Sequence, residues 1–341
     1  MRRWIAPVFL NHAGCPFRCI FCNQRHITGH LKSPSPTEVE AILARCIVSK
    51  RHGSPPPKQI AFYGGSFTGL DRSMQKDYLH VARRFIEEGN VDSIRVSARP
   101  DQLATESLCF LYDHGVRTVE IGVQSLSEEV LHTARRGHSA SEALEALERA
   151  KRQGMEVGAQ IMVGLPGDSL RRAKETIENI IRTKTDFVRI YPVLVVKDTE
   201  LERMYREGVY QPLTIEDAVS ICKDLVALLE EASIKVIRIG LHEDKGHNGQ
   251  TPAWVAGPHH PSFGHLVRAA IFMDKAAAHL HTHGSMNATA SFRIHPNDRS
   301  LFQGHRSENI AYLSGLFDVR EVKILEDPTL PRGSVQYVAE T

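Results

Sequence analysis

The chain lacks any apolar stretch long enough for a membrane span. No segment approaches the roughly 18–20 consecutive apolar residues of a transmembrane helix. The opening MRRWIAPVFLNHAG contains two arginines and a short apolar run, but Pro7 interrupts that run and no small-residue cleavage site follows. We therefore interpret the opening as a first strand rather than a targeting segment, and we expect a cytoplasmic protein with no membrane partner.

The chain also has a low net charge and few cysteines. The formal net charge is only +2, from 42 basic and 40 acidic side chains, which argues against a histone-like or polybasic binder. Of six cysteines, Cys15, Cys19 and Cys22 sit together, and the other three are isolated in apolar contexts. A secreted disulfide framework would be denser, so we expect a reducing compartment and small buried side chains at the isolated positions.

Apolar, β-rich runs alternate with helical patterns over the first two-thirds of the 341 residues. Six strand–helix units in series predict a parallel sheet, because each crossover helix returns the chain to the same edge. The predicted strands are Trp4–Leu10, Gln59–Tyr63, Ser93–Ser97, Arg117–Val123, Val157–Val163 and Phe187–Val195. Later segments predict the helix Ile215–Glu231, the strand Lys235–Ile239, the helix Phe263–Leu280 and a strand–helix–strand unit within 289–341.

The three clustered cysteines, spaced Cys15-x-x-x-Cys19-x-x-Cys22, come directly after the first predicted strand. Parallel α/β folds present their active-site loops at this end of the strands. Thiolates suit iron–sulfur clusters, and three of them leave one iron of a cubane free for an amino acid to chelate. A structural zinc site with His12 or His26 as fourth ligand is the alternative at this point.

The segment CPFRCIFCNQRHITG, with Phe21 just before the third cysteine, resembles the cluster loop of the radical S-adenosylmethionine (SAM) superfamily. This resemblance implies that Cys15, Cys19 and Cys22 hold a [4Fe–4S] cluster and that SAM binds the fourth iron. It further implies reductive cleavage of SAM to a 5′-deoxyadenosyl radical, with an electron donor such as flavodoxin or ferredoxin. The cofactor supplies that chemistry, and the protein supplies binding and orientation.

Polar motifs at the ends of successive predicted strands accompany the cysteines. Each alone fits an ordinary role, such as a tight turn, a polar loop residue or a charge at a helix end. By resemblance, the glycine turn after the second strand would contact the methionine amino group of SAM, two glutamines its ribose or adenine, and an arginine its carboxylate. Some relatives carry glutamate where this chain has serine at the third strand. The residues expected at SAM are Phe21, Gly64, Gly65, Ser66, Ser97, Gln124, Arg136 and Gln160.

Within the superfamily, residues 3–242 most resemble the radical SAM portion of the Elongator catalytic subunit and its short bacterial relatives. The segments that carry this likeness include Glu120-Ile-Gly-Val-Gln-Ser125 and Val188-Arg-Ile-Tyr-Pro192. The cysteine spacing differs from that of Elongator, and nothing after residue 242 resembles its acetyltransferase domain. The resemblance implies an α/β fold, namely a partial (βα)6 radical SAM barrel over residues 1–245, with a small C-terminal α/β extension over residues 246–341.

This likeness favours RNA, including tRNA, as the substrate, although the substrate is not identified. A cofactor or tetrapyrrole precursor is the alternative within the superfamily. A non-catalytic iron–sulfur or zinc-stabilised binding protein is the alternative from another class.

Residues 246–341 contain nine histidines, including His279, His281 and His283. Alternating histidines on an extended segment would share one face and could bind zinc, whereas a polar helix end with incidental histidines is the interpretation that we favour. The segment Pro261–Arg268 follows a Gly- and Pro-rich connection and is a hypothetical substrate lid.

Overall fold

The computed structural model describes residues 4–11, 13–28, 32–48, 59–241, 253–283 and 289–338. It divides the chain into two compact units, Met1–Thr214 with Leu228–Pro258 and Ile215–Ala227 with His259–Thr341. The predicted boundary after residue 245 lies outside the described residues, and the division into domains 1–245 and 246–341 stays a prediction. Among the helices of the described ranges, none has both the length and the apolar character that crossing a membrane requires.

The described residues of both units form twelve strands and twelve α-helices, and strands and helices alternate through the first unit. The strands are β1 (Ile5–Phe9), β2 (Gln59–Tyr63), β3 (Ser93–Ala98), β4 (Val116–Gln124), β5 (Glu156–Val163), β6 (Phe187–Pro192), β7 (Val195–Val196), β8 (Lys235–Ile239), β9 (Trp254–Ala256), β10 (Thr289–Ile294), β11 (Glu321–Glu326) and β12 (Val335–Val338). The helices are α1 (Gln24–Thr28), α2 (Pro36–Val48), α3 (Arg72–Glu87), α4 (Thr105–Asp113), α5 (Glu128–Thr133), α6 (Ala140–Arg152), α7 (Leu170–Arg182), α8 (Glu200–Arg206), α9 (Ile215–Glu231), α10 (Phe263–His283), α11 (Arg299–Gln303) and α12 (Glu308–Phe317).

The first unit is built on a seven-stranded sheet in the order β1-β2-β3-β4-β5-β6-β8. Every neighbouring pair is parallel, as the series of strand–helix units predicts. The central strands are buried on both faces; four of the five residues of β2, for example, are buried. Strands covered on both faces are typical of parallel sheets flanked by helices. The predicted α/β class and parallel sheet are therefore confirmed.

The sheet is curled, and one contact shows this directly. Nη2 of Arg189 on β6 lies 2.9 Å from the hydroxyl of Tyr63 on β2, although three strands separate β2 from β6. Adjacent strands lie about 4.8 Å apart, so a flat sheet would hold these two strands far beyond side-chain contact. The sheet therefore bends into a partial barrel, and Tyr63 and Arg189 lie on its concave face.

The sixth predicted strand of the first unit is wrong at its end. The strand predicted over Phe187–Val195 ends at Pro192, and Val195–Val196 forms β7, which pairs antiparallel with β9. The apolar run continues through Val193–Val196, all of it buried, so the hydrophobic pattern gives no sign of the break.

The second unit contains a small three-stranded sheet in the order β11-β10-β12. β10 pairs parallel with β11 and antiparallel with β12. Its core includes Phe272, Phe292, Phe302 and Leu313, and the rings of Phe292 and Phe302 lie 5.3 Å apart. The strand–helix–strand prediction for this region is wrong in its count, because β10 is followed by both α11 and α12 and then by two strands. The helices are only 5 and 10 residues long, which makes their periodicity hard to detect.

Candidate functional site

The three clustered cysteines lie on one loop directly after β1. All three thiols are free and half-buried. Ile20, between the second and third cysteine, fixes the loop, because its side chain is buried against Val130 and Leu165 and its N–H donates to the carbonyl of Ala134. Phe21 packs against the same hydrophobic cluster and is half-buried. A buried apolar anchor between the cysteines thus sets the position of the loop.

The glycine turn after β2 packs against the backbone of this loop. Gly65 has a φ of +50°, and a Cβ there would lie 2.1 Å from the carbonyl oxygen of Ala13. A Cβ on Gly69 would lie 1.9 Å from the carbonyl oxygen of Gly14. Only glycine allows so close an approach. The N–H of Ser66 also donates to the Ala13 carbonyl, at 2.9 Å. At least one function of the turn is therefore to hold the cysteine loop.

Arg136, expected at SAM, makes its observed contacts with the cysteine loop and with β4. Its side chain is buried, with Nη1 3.2 Å from the sulfur of Cys19 and Nη2 2.5 Å from the carbonyl oxygen of Gly122. Nε lies 3.3 Å from Nε2 of His138. Guanidinium carries five N–H donors, so two remain for a carboxylate. Its proposed pairing with the methionine carboxylate stays a prediction.

His138 is held neutral by its surroundings. Burial and the positive charge of Arg136 lower the pKa of His138 to about 4. Its Nδ1 lies 3.2 Å from the carbonyl oxygen of Ser139, which fits an Nδ1–H tautomer that leaves Nε2 free to accept from Arg136. Neutral His138 therefore orients the guanidinium beside Cys19.

A second buried arginine, Arg99, lies at the same edge of the sheet and was not among the residues expected at the site. Its Nε lies 2.9 Å from a carboxylate oxygen of Asp101, and its Nη2 donates to the carbonyl of Arg136. The ring of Phe17 covers the guanidinium, with the ring centroid 4.9 Å from Cζ. The sequence did offer a signal for this residue: Arg99 directly follows a buried strand and precedes an aspartate by two residues.

Burial favours the protonated thiols of Cys15 and Cys22 over their thiolates. Burial raises the pKa of Cys22 to about 12, and the neighbouring thiols of Cys19 and Cys15 add to the shift. Burial also raises the pKa of Cys15, while the positive charge of Arg99 opposes that increase. Metal binding requires the thiolate and releases the proton, so this donor set fits a cationic iron centre that compensates for the burial of negative sulfur.

Of the remaining residues expected at SAM, Ser97 and Gln124 lie at the carboxyl ends of their strands, and Gln160 lies within β5. Gln124 ends β4 with a φ of +67° and is buried, and among the described residues no hydrogen-bond donor reaches its Oε1. Ser97 lies near the end of β3 opposite Glu120, and Gln160 lies on β5 opposite Gly122. A buried amide oxygen without a donor costs stability, so Gln124 is suited to a ligand.

The zinc alternative at the cysteine loop finds little support in the positions of the histidines. Nε2 of His26 lies 2.6 Å from Oδ2 of Asp198, so His26 is engaged there. His12 lies outside the described residues. Throughout the described part of the chain, no three His, Cys, Asp or Glu side chains converge on a point where one metal ion could be held.

The histidines of the second unit lie on a helix rather than on an extended segment. His279, His281 and His283 end α10, where residues two apart point in different directions. Nε2 of His279 contacts the carbonyl of Val335 at 3.1 Å, and the His281 ring packs edge-on against Phe317. The three histidines therefore do not share one face, since His281 points away from His279 and His283, and the incidental interpretation is favoured. The lid function of Pro261–Arg268 stays a prediction.

A charge network on the concave face of the sheet escaped the sequence analysis. It consists of Arg95, Glu120 and Arg189. Nη1 of Arg95 lies 2.5 Å from Oε1 of Glu120, and Nε of Arg189 lies 2.8 Å from Oε2. Burial and the negative charge of Glu120 raise the pKa of the adjoining Tyr63 to about 12. Charged residues inside strands that are otherwise apolar were the signal for this network.

Comparisons with known proteins agree with the fold. Residues 12–180 match the Radical SAM superfamily, and residues 185–272 match the Radical_SAM C-terminal domain. An uncharacterized protein of Methanocaldococcus jannaschii is 29% identical over 256 residues, which cover 72% of this chain and 77% of that protein. The tRNA uridine(34) acetyltransferase of Methanocaldococcus infernus is 34% identical over 130 residues, covering 37% of this chain and 24% of the acetyltransferase.

The solved structure of archaeal Methanocaldococcus infernus Elp3 with an N-terminal deletion (1-46) matches with a TM-score of 0.63 and 22% identity, covering 80% of this chain and 63% of that chain. At this identity the match shows a shared fold. The expected likeness to Elongator is confirmed, since Elongator complex protein 3 sequences match as well. The matches span only 24–54% of the length of the tRNA uridine(34) acetyltransferases.

Proposed function

Since the chain belongs to the radical SAM superfamily and is a radical SAM enzyme, we propose that it cleaves SAM reductively at a [4Fe–4S] cluster held by Cys15, Cys19 and Cys22. The observation that carries this proposal is the loop after β1, where three free thiols are held on a backbone packed against the glycine turn. Three protein ligands would leave one iron available for the amine and carboxylate of SAM. When bound, the cluster supplies the electron that splits SAM into methionine and a 5′-deoxyadenosyl radical, which abstracts hydrogen from the substrate.

The chain's own residues would bind and orient SAM. The unsatisfied Oε1 of Gln124 would accept a hydrogen bond from the ribose or adenine, and Gln160 would act beside it. The two free N–H groups of Arg136 would hold the methionine carboxylate while the guanidinium keeps its contact with Cys19. Gly64, Gly65, Ser66, Phe21 and Ser97 would complete the site.

RNA, and tRNA in particular, is the substrate class that we propose. The support for RNA is the similarity of this chain to part of the tRNA uridine(34) acetyltransferases. A cofactor or tetrapyrrole precursor is the alternative, and the experiment on substrate below distinguishes the two.

Anaerobic reconstitution with iron and sulfide, followed by dithionite and SAM, tests the chemistry. The wild-type protein should form 5′-deoxyadenosine, and Cys19→Ala should form none, because one cluster ligand is lost. Cys109→Ala is the matched control: its half-buried sulfur contacts Gln153 and lies on α4. Formation of 5′-deoxyadenosine by Cys19→Ala at the wild-type rate would contradict the assignment of the ligands.

The substrate is tested by adding total tRNA or a small-metabolite extract to the same reaction. If RNA is the substrate, intact tRNA should accelerate 5′-deoxyadenosine formation and acquire a nucleoside of changed mass, whereas ribonuclease-treated tRNA should not accelerate it. Acceleration by the metabolite extract alone would reject RNA in favour of a small molecule.

A further inference from the structure

The Arg99 guanidinium is held rigidly but keeps one nitrogen without an acceptor. Its side chain is only 4% exposed. Asp101 accepts from Nε, the carbonyl of Arg136 accepts from Nη2, and Ser66 Oγ accepts from the backbone N–H at 3.0 Å. Among the described residues, no acceptor lies within hydrogen-bonding distance of Nη1. A buried donor without a partner lowers stability, so its persistence indicates a ligand that satisfies it.

Two contacts tie Arg99 to the chain segments that flank Cys15. Ser66, which holds the Arg99 backbone, itself donates to Ala13, two residues before Cys15. The ring of Phe17, two residues after Cys15, covers the guanidinium. The backbone of Arg99 is therefore linked to the segment before the first cysteine, and its guanidinium contacts the segment after it.

Arg136 shows what such a guanidinium does on this loop, because its Nη1 already lies 3.2 Å from the sulfur of Cys19. We propose that Arg99 acts on the same loop through its charge: its buried guanidinium, held against Phe17 and the carbonyl of Arg136, raises the reduction potential of the cluster in the loaded protein. Reduction adds one electron from an external one-electron donor, so the reduced cluster is more negative and gains more from a nearby cation. The inference rests on the cluster proposed above.

The test compares midpoint potentials of reconstituted protein in a reductive titration followed by electron paramagnetic resonance. In Arg99→Gln the equilibrium constant for reduction should fall at least tenfold, a shift of about 59 mV to more negative potential. Arg99→Lys keeps the charge and should restore part of the potential. Asp101→Asn removes the neighbouring negative charge and should shift the potential in the positive direction. Arg83→Gln, at an exposed arginine paired with Glu87, is the control and should leave the potential unchanged.

Opposite shifts in Arg99→Gln and Asp101→Asn support the inference, because a merely structural role for Arg99 predicts no such reversal of sign. A wild-type potential in Arg99→Gln, or shifts of the same sign in both variants, overturns it. If Arg99→Gln takes up no cluster, Arg99→Lys and Asp101→Asn decide instead. A more negative potential in Arg99→Lys together with a more positive one in Asp101→Asn supports the inference, and shifts of the same sign or no shift overturn it. Failure of the wild-type protein to bind a [4Fe–4S] cluster would instead refute the proposed function, and the inference with it.

Discussion

Glu120→Gln is expected to destabilise the first unit far more than neutralisation of a surface carboxylate. Glu120 is only 4% exposed and is within 2.8 Å of guanidinium nitrogens of both Arg95 and Arg189, which are themselves 5% and 12% exposed. Glutamine preserves the volume but removes the negative charge, so two buried cations lose their common partner. Removal of one partner of a buried ion pair costs about 3–5 kcal/mol, and we expect a loss in that range.

The matched control is Glu87→Gln, since Glu87 pairs with Arg83 at 2.9 Å and both side chains are more than half exposed. Exposed ion pairs contribute about 0–1 kcal/mol, so this variant should unfold almost as the wild type does.

Urea unfolding followed by tryptophan fluorescence measures both variants. The sequence has two tryptophans, Trp4 and Trp254, and both belong to the first unit, so the signal reports on the unit that contains Glu120. The loss is read from the shift in the urea midpoint at unchanged slope. A loss below about 1 kcal/mol in the free energy of unfolding of Glu120→Gln would refute the reasoning. The buried arginines would then not need the negative charge of Glu120 for stability.

Three further predictions follow from other contacts. Gly69→Ala should abolish iron and sulfide uptake, because its Cβ would meet the carbonyl oxygen of Gly14. The control Gly315→Ala, whose Cβ would meet nothing within 4 Å, should take up iron and sulfide normally. Normal uptake by Gly69→Ala would contradict the close fit between the turn and the cysteine loop. Folding lowers the pKa of His138 from 6.5 to about 4, so the protein takes up a proton on unfolding between pH 6.5 and pH 4. The free energy of unfolding should therefore fall as the pH drops through this range, by at most about 3 kcal/mol. His138→Gln should lack this part of the slope in urea titrations at several pH values, and an identical slope would exclude the effect. Asn309→Ala should destabilise the second unit by about 1–3 kcal/mol, because the buried amide donates to the carbonyls of Ala269 and Phe302; calorimetry that shows no lowered transition would count against this.

The sequence was sufficient to predict the parallel sheet, because each strand of the barrel is a short apolar run separated from the next by a helical pattern. The cysteine loop was equally accessible, since its spacing is local. The break after Pro192 was missed because the residues that follow are as apolar and as buried as the strand itself. Short helices such as α5 and α11 offer too few turns for a periodic signal.

The contacts of the site could not be predicted in the same way, because they depend on the curvature of the sheet and on backbone packing between loops. Arg189 and Tyr63 are 126 residues apart and meet only because the sheet bends. Arg99 looked like an ordinary residue of a strand end, and only the structure shows that it is buried with one nitrogen unsatisfied. The roles of the residues expected at SAM stay predictions.

The close fit between the glycine turn and the cysteine loop also bears on how the protein would acquire the proposed cluster. Main-chain atoms of Ala13 and Gly14 fix the loop from one side and the Ile20 side chain fixes it from the other, so no sulfur atom is needed to keep its shape. Binding of the proposed cluster would then require little ordering of the chain, and the affinity for iron would not be reduced by that entropy.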